Sequence, residues 1–163
     1  AADGQFGNLI LSRLRIVNGS THLLPRGEGS MNRSYAAATV ELSSGRKARL
    51  VNVHLTHRES DTATRLAQIK ALLKANSRPG PTVIAGDFNS VPGSEEIALL
   101  RDAGLVSAQD NTGNGDLLTS PTDRPQHRVD WIFGTPDVHF DDFARPRVTA
   151  SDHFPLAVTA RLG

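Results

Sequence analysis

Cysteine is missing altogether from this 163-residue chain, which excludes disulfides and thiolate metal sites at the outset. Aromatic residues are scarce, with one Trp and one Tyr. No sign of charge dominates. Eighteen Lys and Arg stand against 17 Asp and Glu, so net charge gives no push toward nucleic acid or membrane, although local clusters still could. There is no run of about 18 apolar residues, which excludes a membrane-spanning helix. Residues 1–7 have neither the basic start nor the apolar core of a signal peptide. A mature secreted protein would read the same way, so the compartment stays open. What is present, 38% hydrophobic and 21% charged residues, suits a globular domain with a real core. Residues 1–163 read as one domain, without internal repeat or boundary.

The most informative stretch is Pro81-Thr-Val-Ile-Ala-Gly-Asp-Phe-Asn-Ser90. Thr82 to Ala85 predicts a strand covered on both faces, bounded by Pro and Gly on either side. Gly86 lets the backbone leave the sheet or pack closely, and Asp87 and Asn89 then project from the strand's end. Taken alone, the acid and amide read first as an Asx turn.

Around it the chain reads as follows. Asn8–Arg13 predicts a strand, and Asn18–Arg33 a loop holding at most a short strand. Ser34–Leu42 and Lys47–Thr56 predict a hairpin joined at Ser43-Ser-Gly-Arg46. In its second strand Val51, Val53 and Leu55 fall on one face, and Leu50, Asn52, His54 and Thr56 on the other. Ser60–Ala75 predicts a helix with Leu66, Ile69 and Leu73 as its apolar stripe, Arg65 and Gln68 away from the stripe's centre, and Asn76 as its stop. A second helix opens after Pro92, with Ser94 as N-cap, Glu95 and Glu96 in its first turn and Gly104 at its end. Ser107–Gln126 reads as a long polar loop, a length more often functional than incidental. Arg128–Phe133 predicts a strand with Asp130 opposite Val129, Trp131 and Phe133. Val138–Phe140 predicts a short edge strand, and Phe154–Leu162 a final strand.

Polar residues thus sit beside four strands: His54, Asp87 with Asn89, Asp130, and Asp152 with His153. Carboxylates, an amide and histidines without cysteine suit a hard divalent cation acting on a phosphate better than zinc. Five segments, Gly7-Asn-Leu-Ile-Leu-Ser-Arg13, Asn52-Val-His-Leu55, Gly86-Asp-Phe-Asn89, Arg128-Val-Asp-Trp-Ile-Phe133 and Ser151-Asp-His153, stand in order. Each is weak alone. Together, over nearly the whole chain, they resemble the endonuclease/exonuclease/phosphatase superfamily, as do Arg65, Gln68 and Thr119-Ser-Pro121.

That resemblance implies an α/β (α+β) fold, a four-layer αββα sandwich of the DNase I-like type, and metal-dependent phosphoester hydrolysis. It implies Mg2+, with Mn2+ or Ca2+ as substitutes, held by Asp152, Asp87 and Asn89. His153 would work on the phosphate, oriented by Asp130. Asp87 and Asn89 would position the attacking water, and His54 would bond a phosphate oxygen. Whether Asp87 or His153 is the general base stays open. His22, His57, His127 and His139 match nothing in the family and read as solvated or structural.

The substrate implied is a nucleic-acid phosphodiester first, with a phospholipid head group or phosphoinositide as alternatives. Arg124, His127 and Arg128 supply a small basic cluster. One departure stands out: Gly7 comes where the family has already supplied an opening strand and a Gln-Glu motif, and no Gln-Glu pair occurs in the sequence. The expectation is therefore the C-terminal two-thirds of the fold, lacking the N-terminal strand–helix–strand portion and a metal-binding glutamate. Such a chain calls for a complementing N-terminal segment or self-association through an exposed sheet edge. The rival class is a non-catalytic fragment or pseudoenzyme serving as an interaction module. The expected outcome is weak metal binding and slow phosphodiester hydrolysis until the missing segment is supplied. Mass measurement combined with a Mg2+-dependent assay on the same sample tests this, and full activity from a pure 163-residue monomer would refute it.

Overall fold

The computed structural model describes residues 7–27 and 31–163. Six strands form the main sheet: β1 (Arg15–Leu23), β2 (Ser34–Glu41), β3 (Lys47–His54), β4 (Thr82–Asp87), β5 (Val106–Ser107) and β6 (Asp130–Gly134), in the order β1-β2-β3-β4-β6-β5. β3 and β4 run parallel and the other neighbours antiparallel. A parallel pair needs a crossover, and α1 (Thr62–Ala75) supplies it. After β4 come α2 (Glu95–Asp102) and the single turn α3 (Ala108–Asn111). β7 (Val138–Ala144) and β8 (Ala157–Leu162) form a separate two-stranded sheet.

Three layers result among the described residues. On one face of the sheet, Ile69 and Leu72 of α1 and Ile97 and Leu100 of α2 pack on Val51, Val53, Ile84, Trp131 and Phe133. On the other face Ile132, Val83 and Ala85 meet Val138, Phe140, Leu156 and Val158. The alternation of β3 holds, since Val51 and Val53 are buried while Leu50, Asn52 and His54 are half-buried. Asn76 stops α1 twice over, donating its backbone N–H and its Nδ2 to Leu72 O. Ser94 caps α2 through Ile97 N, and Gly104 follows at φ 83°.

Several expectations change. Asn8–Arg13 is not a strand, and Leu9 and Leu11 lie exposed. The strand is Arg15–Leu23, and from Asn18 onward it lies in the stretch expected to be mostly loop. It is exposed along its whole length and held by backbone pairing to β2, so no apolar period marks it in the sequence. Ser60 and Asp61 belong to a 3₁₀ turn ahead of α1, and Asp61 makes no capping bond. Arg65 and Gln68, expected off the apolar stripe's centre, are among the helix's most buried residues, with Leu72, while Leu66 and Leu73 are only half-buried. Their polar heads are satisfied inside: Arg65 pairs with Glu96 at 2.7 Å, and Gln68 bonds Thr56 N and Pro25 O. β4 runs on to Asp87, and β6 begins only at Asp130. The long polar stretch holds part of β5, all of α3, and Ser120, which bridges to His127 just beyond it. β7 is longer than Val138–Phe140 and pairs with β8, which itself starts at Ala157.

Arg128 is not a surface cation. It is buried, stacked over Trp131 at 3.7 Å and bonded to Asp110 at 2.8 Å, while Arg101 reaches the same carboxylate from α2. Burial pushes the Asp110 carboxyl up, but bonds from Arg128 and Arg101 outweigh it and leave the group below its ordinary 3.8. A depressed carboxyl adds stability above the unfolded pKa, lost as pH falls through the folded one. Asp110→Asn should therefore lower the urea midpoint at neutral pH and lose that deficit as pH falls through the lowered carboxyl's own titration. A deficit that persists unchanged at low pH would contradict this.

Candidate functional site

Strand pairing builds the first part of the site. The parallel register sets His54 of β3 beside Asp87 of β4, and the antiparallel register sets Asp87 beside Asp130 of β6. Paired residues on adjacent strands point to the same face, so the three side chains stand in a row at one end of the sheet. Gly86 makes the row possible. Its φ is 145°, and a Cβ there would collide with the Val53 carbonyl oxygen.

Asp87 serves two purposes. Its Oδ1 accepts the Asn89 N–H at 2.8 Å, and Asn89 takes φ 48°, a left-handed conformation that Asn tolerates. The Asx turn read from the sequence is therefore present, and it leaves Oδ2 for the site. That oxygen lies 3.4 Å from His54 Nε2. Asn89 Nδ2 donates to Leu55 O at 3.1 Å.

His153 arrives from the segment between β7 and β8. Its Nδ1 meets Asp130 Oδ2 at 2.8 Å. Neighbouring bonds hold the segment: Thr122 N to Asp152 O at 2.9 Å, and Phe154 N to Thr119 O at 2.8 Å. Ligand atoms of Asp87, Asp130 and His153 all lie within 4.8 Å of one another. Asp152 stands beside them in the chain, but it is exposed and its Oδ1 accepts from Ser151 Oγ. So the structure gathers His54, Asp87, Asp130 and His153, keeps Asn89 at the rim, and leaves the Asp152 carboxylate outside the tight group. Two carboxylates and an imidazole without thiolate fit a hard divalent cation that uses few protein ligands.

The electrostatics separate the two histidines. Burial pushes His54 below its ordinary value, and Arg33 and the neighbouring His153 and His57 add to this against the pull of Asp87. Burial acts on His153 in the same direction, but there the charge and hydrogen bond of Asp130, with Asp87 and Asp152 behind, win and raise it. Asp87 is raised by burial and by the charge of Asp130, only partly offset by the Asn89 N–H and the histidines. One imidazole is biased toward neutral and the other toward charged, a division common at catalytic sites.

Three residues that border the site were not singled out as site residues from the sequence. Arg33 comes from the polar stretch before β2, is buried, and sits 3.2 Å from His57 Nδ1 through its Nη2. His57 and His127 both line the cavity that also reaches Asn89 and His153. His57 follows His54 at three residues' distance, a spacing too common to mark it.

The sequence matches the Endonuclease/Exonuclease/phosphatase family profile over residues 1–153. No curated protein matches it. Among solved structures it is similar to an endonuclease/exonuclease/phosphatase from Beutenbergia cavernae, at 23% identity and TM-score 0.79, covering 93% of this chain and 46% of that one. It is similar to D. rerio TDP2 complexed with single-strand DNA product, at 21% identity and TM-score 0.76, covering 91% and 69%. A mannosyl-6-phosphatase of Bacteroides thetaiotaomicron gives 18% identity and TM-score 0.74, covering 91% and 67%. The chain thus spans between 46% and 69% of the lengths of these three solved chains. Members of this family are typically metal-dependent. On the profile match, the order of the motifs and the shared fold, the chain belongs to the endonuclease/exonuclease/phosphatase family.

Proposed function

We propose that the row at the sheet's end hydrolyses phosphate esters by attack of water on phosphorus, with a divalent cation at the carboxylates. The observation that carries this reading is the Asp130–His153 pair set against Asp87 within 4.8 Å. Asp130 occupies His153 Nδ1, which leaves Nε2 to face a phosphate oxygen or the departing alcohol. Asp87 takes the proton of the attacking water, the bond from phosphorus to the alcohol oxygen breaks, and the alcohol leaves with a proton from His153. His54, biased toward neutral, steadies a phosphate oxygen. Asp87, Asn89 and Asp152, with Asp130 close to Asp87, are the residues to hold Mg2+, or Mn2+ or Ca2+ in its place. The cation supplies charge neutralisation on the phosphate oxygens.

The four-layer sandwich belongs to the same proposal. A cavity of about 450 Å³ lies between the main sheet and Leu156, lined by Leu50, Val83, Ala85 and Ile132, with Asp87 and Asp130 at its end. A complementing strand lying there could bring a carboxylate to the metal. The second reading, an interaction module, draws on the exposed Leu9, Leu11, Leu14 and Ile16. Hydrolysis of bis(4-nitrophenyl) phosphate separates the two readings. The enzyme reading expects a Mg2+-dependent rate, abolished by EDTA and lowered about 10²-fold or more by His153→Ala. A rate indifferent to both, or no rate above buffer at high protein concentration, favours the module.

Gly86→Ala tests the geometry of the row. It should cost more than about 1 kcal/mol in urea unfolding, because both φ and the Val53 contact oppose a side chain. A neutral substitution would show that β3 and β4 can separate at Asp87 without loss.

A further inference from the structure

Arg33 and His57 meet at the same end of the sheet as the row and take no part in the reaction set out above. Arg33 comes immediately before β2, whose register sets Tyr35 opposite Val53, so the chain at Arg33 stands beside the end of β3. Its carbonyl accepts from Leu24 N at 2.8 Å, and the residue is buried. The guanidinium lies close enough to the row for its charge to be felt at His54, and for Asp87 to act on it in turn. His57 is exposed and lines the cavity that reaches Asn89 and His153. Gln68 Oε1 holds Thr56 N, and Arg65 Nη1 holds the Arg58 carbonyl, so the backbone on either side of His57 is fixed.

The contact between them, Arg33 Nη2 to His57 Nδ1 at 3.2 Å, has one chemical reading. A guanidinium has donors and no acceptor, and it stays charged in proteins. Nδ1 must therefore carry the lone pair, and the proton of the neutral ring sits on Nε2. His153 stands the other way round, with its Nδ1 bonded to a carboxylate at 2.8 Å. Two rings that line one cavity are thus backed by opposite charges, Arg33 behind His57 and Asp130 behind His153. A cation bonded at Nδ1 draws electron density from the ring and strengthens the N–H on its far side, whereas a carboxylate there raises the ring's basicity. With Nδ1 turned to the buried Arg33, the Nε2–H is what this exposed ring offers the cavity.

From this geometry we infer that Arg33 is a positioning residue that locks His57 in its Nε2–H form, and that His57 donates this hydrogen to a non-bridging oxygen of the bound phosphate. A neutral imidazole stabilises an oxyanion in this way without giving up its proton, while His153 supplies the proton that moves. The role rests on the phosphoester reading above and adds a fixed donor to it.

Nitrogen-15 NMR of the full chain, labelled at histidine and held at about pH 8 where an ordinary imidazole is neutral, tests the tautomer. The signal lost in His57→Leu assigns His57. Its Nδ1 should resonate as an unprotonated nitrogen and its Nε2 as a protonated one. In Arg33→Met the two should move toward each other as the tautomers mix, and Arg33→Lys, which keeps a charged donor, should restore part of the separation. Inorganic phosphate added with Mg2+ should shift Nε2 and its proton. Calorimetry of inorganic phosphate binding with Mg2+ supplies an arm that does not depend on the Arg33 variants folding, since His57 is exposed. His57→Leu and His57→Asn should weaken binding about tenfold, and His57→Gln, whose amide N–H reaches the place of Nε2, should bind within about threefold of the parent. A protonated Nδ1 in the parent, or a tautomer unmoved in folded Arg33→Met, overturns the role of Arg33. Phosphate affinity unchanged in His57→Leu overturns the donor role while the phosphate site stands. Failure of the parent chain to bind phosphate overturns the phosphoester reading and the donor role together.

Discussion

Everything at the site depends on the close approach of two backbones at Gly86. The Val53 carbonyl occupies the space that a side chain would need, so β3 and β4 stay paired to their last residues. His54 and Asp87 then emerge side by side, and β6 adds Asp130 in the same row. Leu55 N donates to Asp87 O, and Phe88 N to Val129 O, which extends this order one residue past the strands. A site assembled from strand ends inherits the sheet's rigidity. Loops alone would not fix three titratable groups at such spacing.

The second dependence is polar and runs through the helices. Arg65 and Glu96 are buried together between α1 and α2, a costly arrangement unless each charge keeps its partner and further hydrogen bonds. Arg65 meets this need with Thr62 Oγ1 and the Arg58 carbonyl. Gln68 does the same for Thr56 N. These bonds fix the segment between β3 and α1, which carries His57. Arg128 plays a matching part on the other side, stacking on Trp131 while bonding Asp110, Ser107 Oγ and the Gly115 carbonyl. Residues that read as surface charge in the sequence therefore serve as internal struts.

Charge within the row is divided by surroundings rather than by residue type. Burial bears on both histidines, yet His153 has a carboxylate at 2.8 Å and His54 has Arg33 and two other histidines near it. The same imidazole is thereby biased in opposite directions within one site. Asp87, between them and beside Asp130, becomes a carboxyl more willing to accept a proton than an isolated one.

The sequence by itself determined the mixed α/β class, the hairpin of β2 and β3, the strand leading to Asp87, the capped α2, and the polar residues that meet at the strand ends. Local chemistry suffices for these: alternation, a cap, a glycine, and motifs in a recognisable order. Tertiary structure alone decided the rest. β1 is exposed on both faces and owes its form to pairing, so no periodicity announced it. Arg65, Gln68 and Arg128 went inside because partners distant in sequence satisfied their charges and amides, which composition cannot foresee. The Asx turn and the site seemed alternatives at Asp87. They are one arrangement, because a carboxylate has two oxygens, and only the neighbouring strands determine where the second one points.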